Sequence, residues 1–224
     1  GPINAAGTVR GRLVTAYQDR HYFYDGTKSR SPLFYGVIDA DVGQHTTLTF
    51  GARHQATDTD GYWLFGLPRY TDGGALDIKR STSLIQDWNR QTGQVDEIFA
   101  EAEHRFSKDW KARLSLNSTE VDLDQRVAIP IGGVDRASGR GSSFYTVYFN
   151  RARVRSDGVD LNTTGNFQAL GGSHQILLGA SWARQRINQK SASLDADMPI
   201  DVYDPDHSAI PKPARPAWDS KETA

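Results

Sequence analysis

Apolar and polar positions alternate along much of this chain, and the alternation predicts strands. In "IFAEAEHRF", Ile98, Ala100, Ala102, His104 and Phe106 fall on one side, while Phe99, Glu101, Glu103 and Arg105 fall on the other. After Ser107, Lys108 and Asp109 the pattern resumes, with Trp110, Ala112, Leu114 and Leu116 against Lys111, Arg113, Ser115 and Asn117. The two runs make a hairpin with one greasy and one charged face. Phe106 then sits opposite Trp110, and Glu103 opposite Arg113. The same two-faced pattern recurs at 35–42, 47–55, 159–170 and 175–185, and more weakly at 8–19. No stretch keeps a helical period for long, so the chain reads as all-β.

The connections sort by length. Tight turns are predicted at Gly43 to His45, at Ser107 to Asp109 and at Gly171 to Gly172, where a glycine pair suits a two-residue turn with positive φ. Between them lie long segments over roughly 57–94, 119–157 and from about 187 onward. Short and long connections in alternation fit an up-and-down membrane barrel better than a sandwich, which scatters moderate loops at both ends. To keep that alternation, residues 144–170 are read as one pass, bent near Gly158. Seven passes result. Seven strands cannot close a bacterial barrel and open edges are not tolerated in lipid, so residues 1–186 are expected to be strands of a larger antiparallel meander, part of an outer-membrane β-barrel, and 187–224 an extracellular loop or disordered tail.

In this setting the greasy face meets lipid. Ile98, Ala100, Ala102, Leu114 and Leu116 are expected to face the bilayer and Glu101, Glu103, Lys111 and Arg113 a wet lumen, with Phe106 and Trp110 at an aromatic girdle.

Composition changes this picture little. The chain has 224 residues, 24% of them charged, and a formal net charge of -1, which by itself suits a water-soluble domain. No apolar run approaches a membrane helix, but a membrane strand needs only about 9–11 residues, half of which are polar. The balanced charge offers no case for nucleic acid, and the absence of cysteine removes disulfides and thiol chemistry. The N-terminal "GPINAAGTVRGR" lacks a charged n-region and an apolar h-region, so no signal peptide is expected there and the chain is read as an internal piece.

Enzyme motifs are missing. The carboxylate pairs Asp39/Asp41 and Glu101/Glu103 have the spacing of neighbours on one strand face and read as solvated residues. The six histidines show no short metal-ligand spacing, and "SGRGSS" at 138–143 lacks the Gly-Lys-Ser/Thr ending of a phosphate loop. The chain is therefore expected to be a non-enzyme with no cofactor. The segment 58–94 instead offers binding chemistry: Tyr62, Trp63, Phe65, Tyr70 and Trp88 among Arg69, Arg80 and Arg90. Exposed rings give rigid contact surface at low entropic cost, and arginines complement an anionic ligand.

The successive stretches "GPINAAGTVRGRLVTAYQDR", "LFYGVIDADVGQHTTLTFGARHQ", "GLPRYTDGG", "RSTSL", "DWNR", "IFAEAEHRFSKDWKARLSLNST" and "LGGSHQILLGASWARQ" resemble, in this order, the TonB-dependent ferric-siderophore receptors. The similarity is greatest to the branch of ferric-coprogen, rhodotorulic acid and pyoverdine receptors, and runs to about residue 190. It implies a 22-stranded outer-membrane barrel around an N-terminal plug, of which this chain carries the first strands but not the plug, the TonB box or the later strands. The implied partners are a ferric siderophore of hydroxamate or mixed-ligand type, outer-membrane lipid, the plug and remaining strands, and a TonB-type energy transducer. Iron enters only as part of the chelated ligand. Trp63 and Trp88, with Tyr62, Tyr70 and Arg69, are the expected ligand contacts. A soluble β-sandwich binding module and a small stand-alone outer-membrane barrel are the alternatives.

Overall fold

A computed structural model describes residues 1–214 and 219–223. Eight strands form one sheet in chain order: β1 (Val9–His21), β2 (Lys28–Val42), β3 (Thr46–Asp60), β4 (Arg90–Arg105), β5 (Trp110–Ile131), β6 (Arg140–Ala169), β7 (Gly172–Asp201) and β8 (Asp219–Thr223). Every neighbouring pair is antiparallel. The tight turns after β2, β4 and β6 therefore share one end of the sheet, and the connections after β1, β3, β5 and β7 the other. At the β4–β5 turn, Ser107 Oγ accepts from the amides of Asp109 and Trp110, each at 3.2 Å. The β6–β7 turn sits one residue earlier than its glycine pair suggests. Ala169 pairs with Gly172, so Leu170 and Gly171 occupy the positive-φ positions, at 52° and 79°.

The seven passes are found as expected, β1 to β7, and a short β8 pairs with Ile187–Ser191 of β7 at the long-loop end. Two expectations are corrected. The segment 119–157 is not a loop: β5 runs on to Ile131 and β6 starts at Arg140. Strand structure also continues beyond residue 186, since β7 reaches Asp201, with register shifts near Phe144 in its pairing to β6. The cause is common to both. Beyond the greasy zone the strands are held by cross-strand charge, as in Arg151 on Asp124 and Arg153 on Asp122, and two polar faces leave no alternation to read. The single pass through Gly158 is observed: β6 is unbroken from Arg140 to Ala169.

Register fixes the faces. One row crosses the sheet through Gly11, Ile38, Phe50, Ala100, Leu116, Val159 and Trp182, and the next through Val9, Ala40, Leu48, Ala102, Leu114, Leu161 and Ala180. With the row of Leu13, Gly36, Ala52 and Ile98 they form an apolar band that no second layer covers among the described residues: Leu13 is 77% exposed, Ile98 64% and Trp182 55%. A sandwich would bury this face under a second layer, and a contiguous exposed apolar face of this size marks a membrane or partner surface. Near the short-turn end, the ring of Trp110 lies flat over Gly165, where a Cβ would stand 2.4 Å from it. Only glycine opposite the tryptophan allows that stacking.

The other face is charged near the tight turns. Glu103 stands opposite Arg113, as expected, but Arg113 pairs diagonally with Glu101 and leaves Glu103 to Lys111 at 3.2 Å. Sheet twist favours such diagonals.

Above the band, at the long-loop end, the apolar face is no longer bare. Ala128, Val147 and Phe149, on the register parity of Leu114 and Leu161, are buried with Tyr70, Leu84, Val134, Ile200, Val202 and Ile210. The long connections thus cap the band where it leaves the membrane zone.

Arginine introduced on the band should be costly and on the other face mild. Leu114→Arg is expected to destabilise assembly into lipid by roughly 2–4 kcal/mol near mid-bilayer, and Ser115→Arg by far less. Urea titration of the two variants in lipid vesicles, in the full-length protein, checks this; equal costs would overturn the face assignment.

Candidate functional site

The long connection after β3 begins on the polar face and ends on the other. Tyr62 and Trp63 follow directly from β3. The Tyr62 hydroxyl is held by Gln125, and burial raises its phenol above the usual range. Burial likewise raises the phenol of Tyr24, whose ring packs edge-on to Trp63 at 5.2 Å and tilted to Tyr22 at 5.4 Å. Trp63 carries a buried indole N–H for which the protein supplies no acceptor among the described residues. Such a donor is costly unless something else accepts from it.

Gln125 belongs to a feature that alternation did not reveal. It donates to Gln91 Oε1 at 2.6 Å, Asn150 donates to Gln125 Oε1 at 3.2 Å, and Gln189 donates to Asn150 Oδ1 at 3.0 Å. These amides, on β4, β5, β6 and β7, form a continuous chain across the polar face. Each link uses one N–H and one oxygen lone pair, so unused donors and acceptors remain for a ligand. Below the chain runs an apolar row of Leu33, Val95, Val121, Val154 and Ile187 with Gln55 among them. The polar face is therefore layered: charge near the tight turns, then aliphatics, then amides, then the rings of Tyr24, Tyr62 and Trp63. Sequence reading misses the amide chain because Gln91, Gln125 and Gln189 all fall in segments that read as long connections. Extending the β5–β6 register through 119–157 would have aligned Gln125 with Asn150.

Tyr70 and Trp88 lie elsewhere. Tyr70 is buried in the loop core, its hydroxyl 2.5 Å from that of Tyr203, with the Arg136 guanidinium 3.9 Å above its ring. Arg136 also pairs with Asp72 at 2.8 Å and holds that carboxyl below the usual range. Trp88 packs against the same core and donates its indole N–H to Ile210 O at 2.8 Å. Next to it, Gln86 donates to Asp206 O at 3.0 Å and accepts from the Ile210 amide at 2.9 Å. Residues 61–89 and 202–214 are thereby stitched together. Arg69 is exposed, and its guanidinium donates to Gly73 O at 3.0 Å. Phe65 is exposed, Arg80 lies over Phe23 at 4.9 Å, and Arg90 is paired with Asp58. The predicted residues do not converge: Tyr62 and Trp63 crown the polar face, Tyr70 and Trp88 hold the loops, and Arg69 stands in solvent.

No protein-family model matches the chain. The ferric-pyoverdine receptor PbuA of a Pseudomonas strain is 33% identical over 213 residues, covering 95% of this chain and 26% of that protein. The ferripyoverdine receptor of Pseudomonas aeruginosa is 30% identical over 188 residues, covering 81% of this chain and 22% of that protein. The crystal structure of the ferripyoverdine receptor of the outer membrane of P. aeruginosa, bound to ferripyoverdine, superposes with a TM-score of 0.86 at 26% identity. It covers 99% of this chain and 30% of that one. The chain thus spans about a quarter of the length of the relatives it matches.

The two groups of residues should respond differently to substitution. Trp88→Phe keeps the ring but removes the bond to Ile210, and should loosen residues 202–214 by about 1 kcal/mol. Hydrogen exchange of the full-length protein reads this as faster exchange at 202–214 with no change in β1–β5. Unchanged exchange would mean that the stitch carries no stability.

Proposed function

We propose that this chain, whose sequence and fold are those of a barrel segment of the TonB-dependent siderophore receptors, forms part of the wall of an outer-membrane receptor that takes up ferric siderophores. The observation that carries the reading is the two-faced sheet: a bare apolar band on one side, and on the other a polar wall that rises through an amide chain to an aromatic crown. The first face belongs in lipid. The second suits a lumen that holds a plug below and admits a polar, chelated ligand from the long-loop side.

In this reading Trp63 and Tyr62 touch the ligand, the Trp63 indole N–H, which has no acceptor among the described residues, supplying a donor. Tyr70 and Trp88 position the loop that carries them, and Arg69 adds positive charge toward an anionic ligand. The ligand is a ferric siderophore with hydroxamate or mixed donors, a class to which the pyoverdine bound by the relatives belongs. Iron arrives already coordinated, so the wall needs no metal ligands and no cofactor, and the segment does no covalent chemistry. The plug, the remaining strands and a TonB-type transducer complete the transporter.

Titration of the purified full-length receptor with a ferric pyoverdine tests this. Trp63→Ala and Tyr62→Ala should each weaken binding by roughly 1–3 kcal/mol, as truncation of an anchoring ring does, while the heat-modifiable mobility of the folded barrel is unchanged. Affinities equal to the wild type would remove both rings from the site.

A further inference from the structure

The aromatic crown is assembled from two separate connections. Tyr24 sits in the β1–β2 turn and Trp63 in the connection after β3, yet their rings meet edge-on at 5.2 Å. The two backbones also meet close to the rings. Gly26 and Gly61 take positive φ, at 81° and 64°. Thr27 Oγ1 donates to Gly61 O at 2.6 Å, and a Cβ on Gly61 would run into the Gly26 carbonyl. Only glycine permits both the backbone conformation and the approach.

Ile85, which is 3% exposed, closes this contact. Its Cδ1 lies 2.7 Å from where a Cβ would stand on either glycine. The chain around it grips both turns. The Asp25 amide donates to Ser81 O at 2.8 Å, Ser83 Oγ donates to Asp25 O at 2.7 Å, and the Gly61 amide donates to Asn89 O at 2.8 Å. Asn89 is buried, donates to Tyr62 O at 3.2 Å and accepts from the Ala128 amide at 2.8 Å, which ties the crown to β5.

This gripping segment is itself held from the β7–β8 connection. His207 Nδ1 lies 2.7 Å from Ile85 O, a partner 122 residues away, and His207 O accepts from the Asp87 amide at 2.8 Å. A carbonyl can only accept, so the imidazole carries a proton on Nδ1. Residues 85–87 are thus bracketed by one residue of a distant connection.

We propose that Ile85 and His207 are positioning residues of the ligand site: Ile85 seats the two glycine turns against each other and so sets the gap between Tyr24 and Trp63, and His207 holds Ile85 in place. Residues 206–210 are thereby coupled to the crown. A ligand that needs the rings at this spacing tightens the clamp, and by linkage a loosened clamp weakens the ligand. The inference rests on the reading above, in which Trp63 touches the siderophore.

The test combines titration of the purified full-length receptor with ferric pyoverdine and hydrogen exchange of its free and bound forms. His207→Ala should weaken binding roughly 5- to 20-fold, within the range usual for coupled sites. His207→Asn, whose Nδ2–H can take the place of the imidazole Nδ1–H, should restore most of the loss. Ile85→Val, which trims the Cδ1 that touches both glycines, should cost about threefold and disturb the fold little. In wild type the ligand should slow exchange at 206–210, and in His207→Ala it should do so far less. Wild-type affinity in both His207→Ala and Ile85→Val would overturn the proposal, as would a loss that His207→Asn fails to restore, or exchange at 206–210 that ignores the ligand. Trp63→Ala separates the two readings: if it weakens binding while His207→Ala and Ile85→Val do not, only the clamp fails, and if it too leaves affinity unchanged, the site itself is misplaced. Heat-modifiable mobility confirms that each variant forms the barrel.

Discussion

An unbroken antiparallel ladder from β1 to β7 is the constraint from which the rest follows. In hydrocarbon each unpaired backbone amide or carbonyl costs several kcal/mol, so a lipid-embedded sheet must pair its strands in full. Because side chains alternate strictly, a slip of one residue in any ladder would exchange the faces of every strand beyond it. The rows that run without mismatch from Val9 to Ala180 and from Gly11 to Trp182 are therefore one collective property. Ala100 contributes almost no apolar area, yet its place between Phe50 and Leu116 keeps the band continuous.

Above the membrane zone a different balance takes over. Water can satisfy backbone groups there, so strands need other reasons to continue. β5, β6 and β7 continue on cross-strand ion pairs at one height and on burial at the next, where the loop core closes over Val147 and Phe149. Exposed pairs of the first kind are each worth at most about 1 kcal/mol. The buried cluster, with the Trp88 and Gln86 hydrogen bonds that pin it to 202–214, is the larger contribution.

This division explains what was legible in the sequence. Where one face meets lipid and the other water, alternation is compulsory, and Ile98 to Leu116 could be read with its turn, its faces and its register. Where both faces are polar, as from Glu120 to Arg126 against Arg151 to Arg155, the pattern disappears, and a hairpin reads as a loop. Aromatic residues were harder still. A tryptophan in a loop looks the same whether its ring caps a core, as Trp88 does, or leaves its N–H unanswered, as Trp63 does. Only the partner decides, and the partner, Ile210 or Tyr24, lies far away in the chain.

The amide chain shows why the polar face needs more than solubility. A wall meant only to be wet would be built of ions and the hydroxyls that solvate them, as it is near the tight turns, where Thr47, Thr49 and Ser115 donate to Asp41, Asp39 and Glu101. Higher up, the Gln91–Gln125–Asn150–Gln189 chain replaces charge with neutral groups whose geometry is locked by one another. Neutral amides lose less on desolvation than ions do, and a chain of them holds its orientation without a ligand. Residual donors and acceptors in fixed positions can recognise a polar guest at modest cost, whereas a field of arginines and carboxylates would first have to give up its own ion pairs. Placing amides beneath the aromatic crown, and charges at the far end, separates a surface fit for reversible binding from one fit for permanent packing.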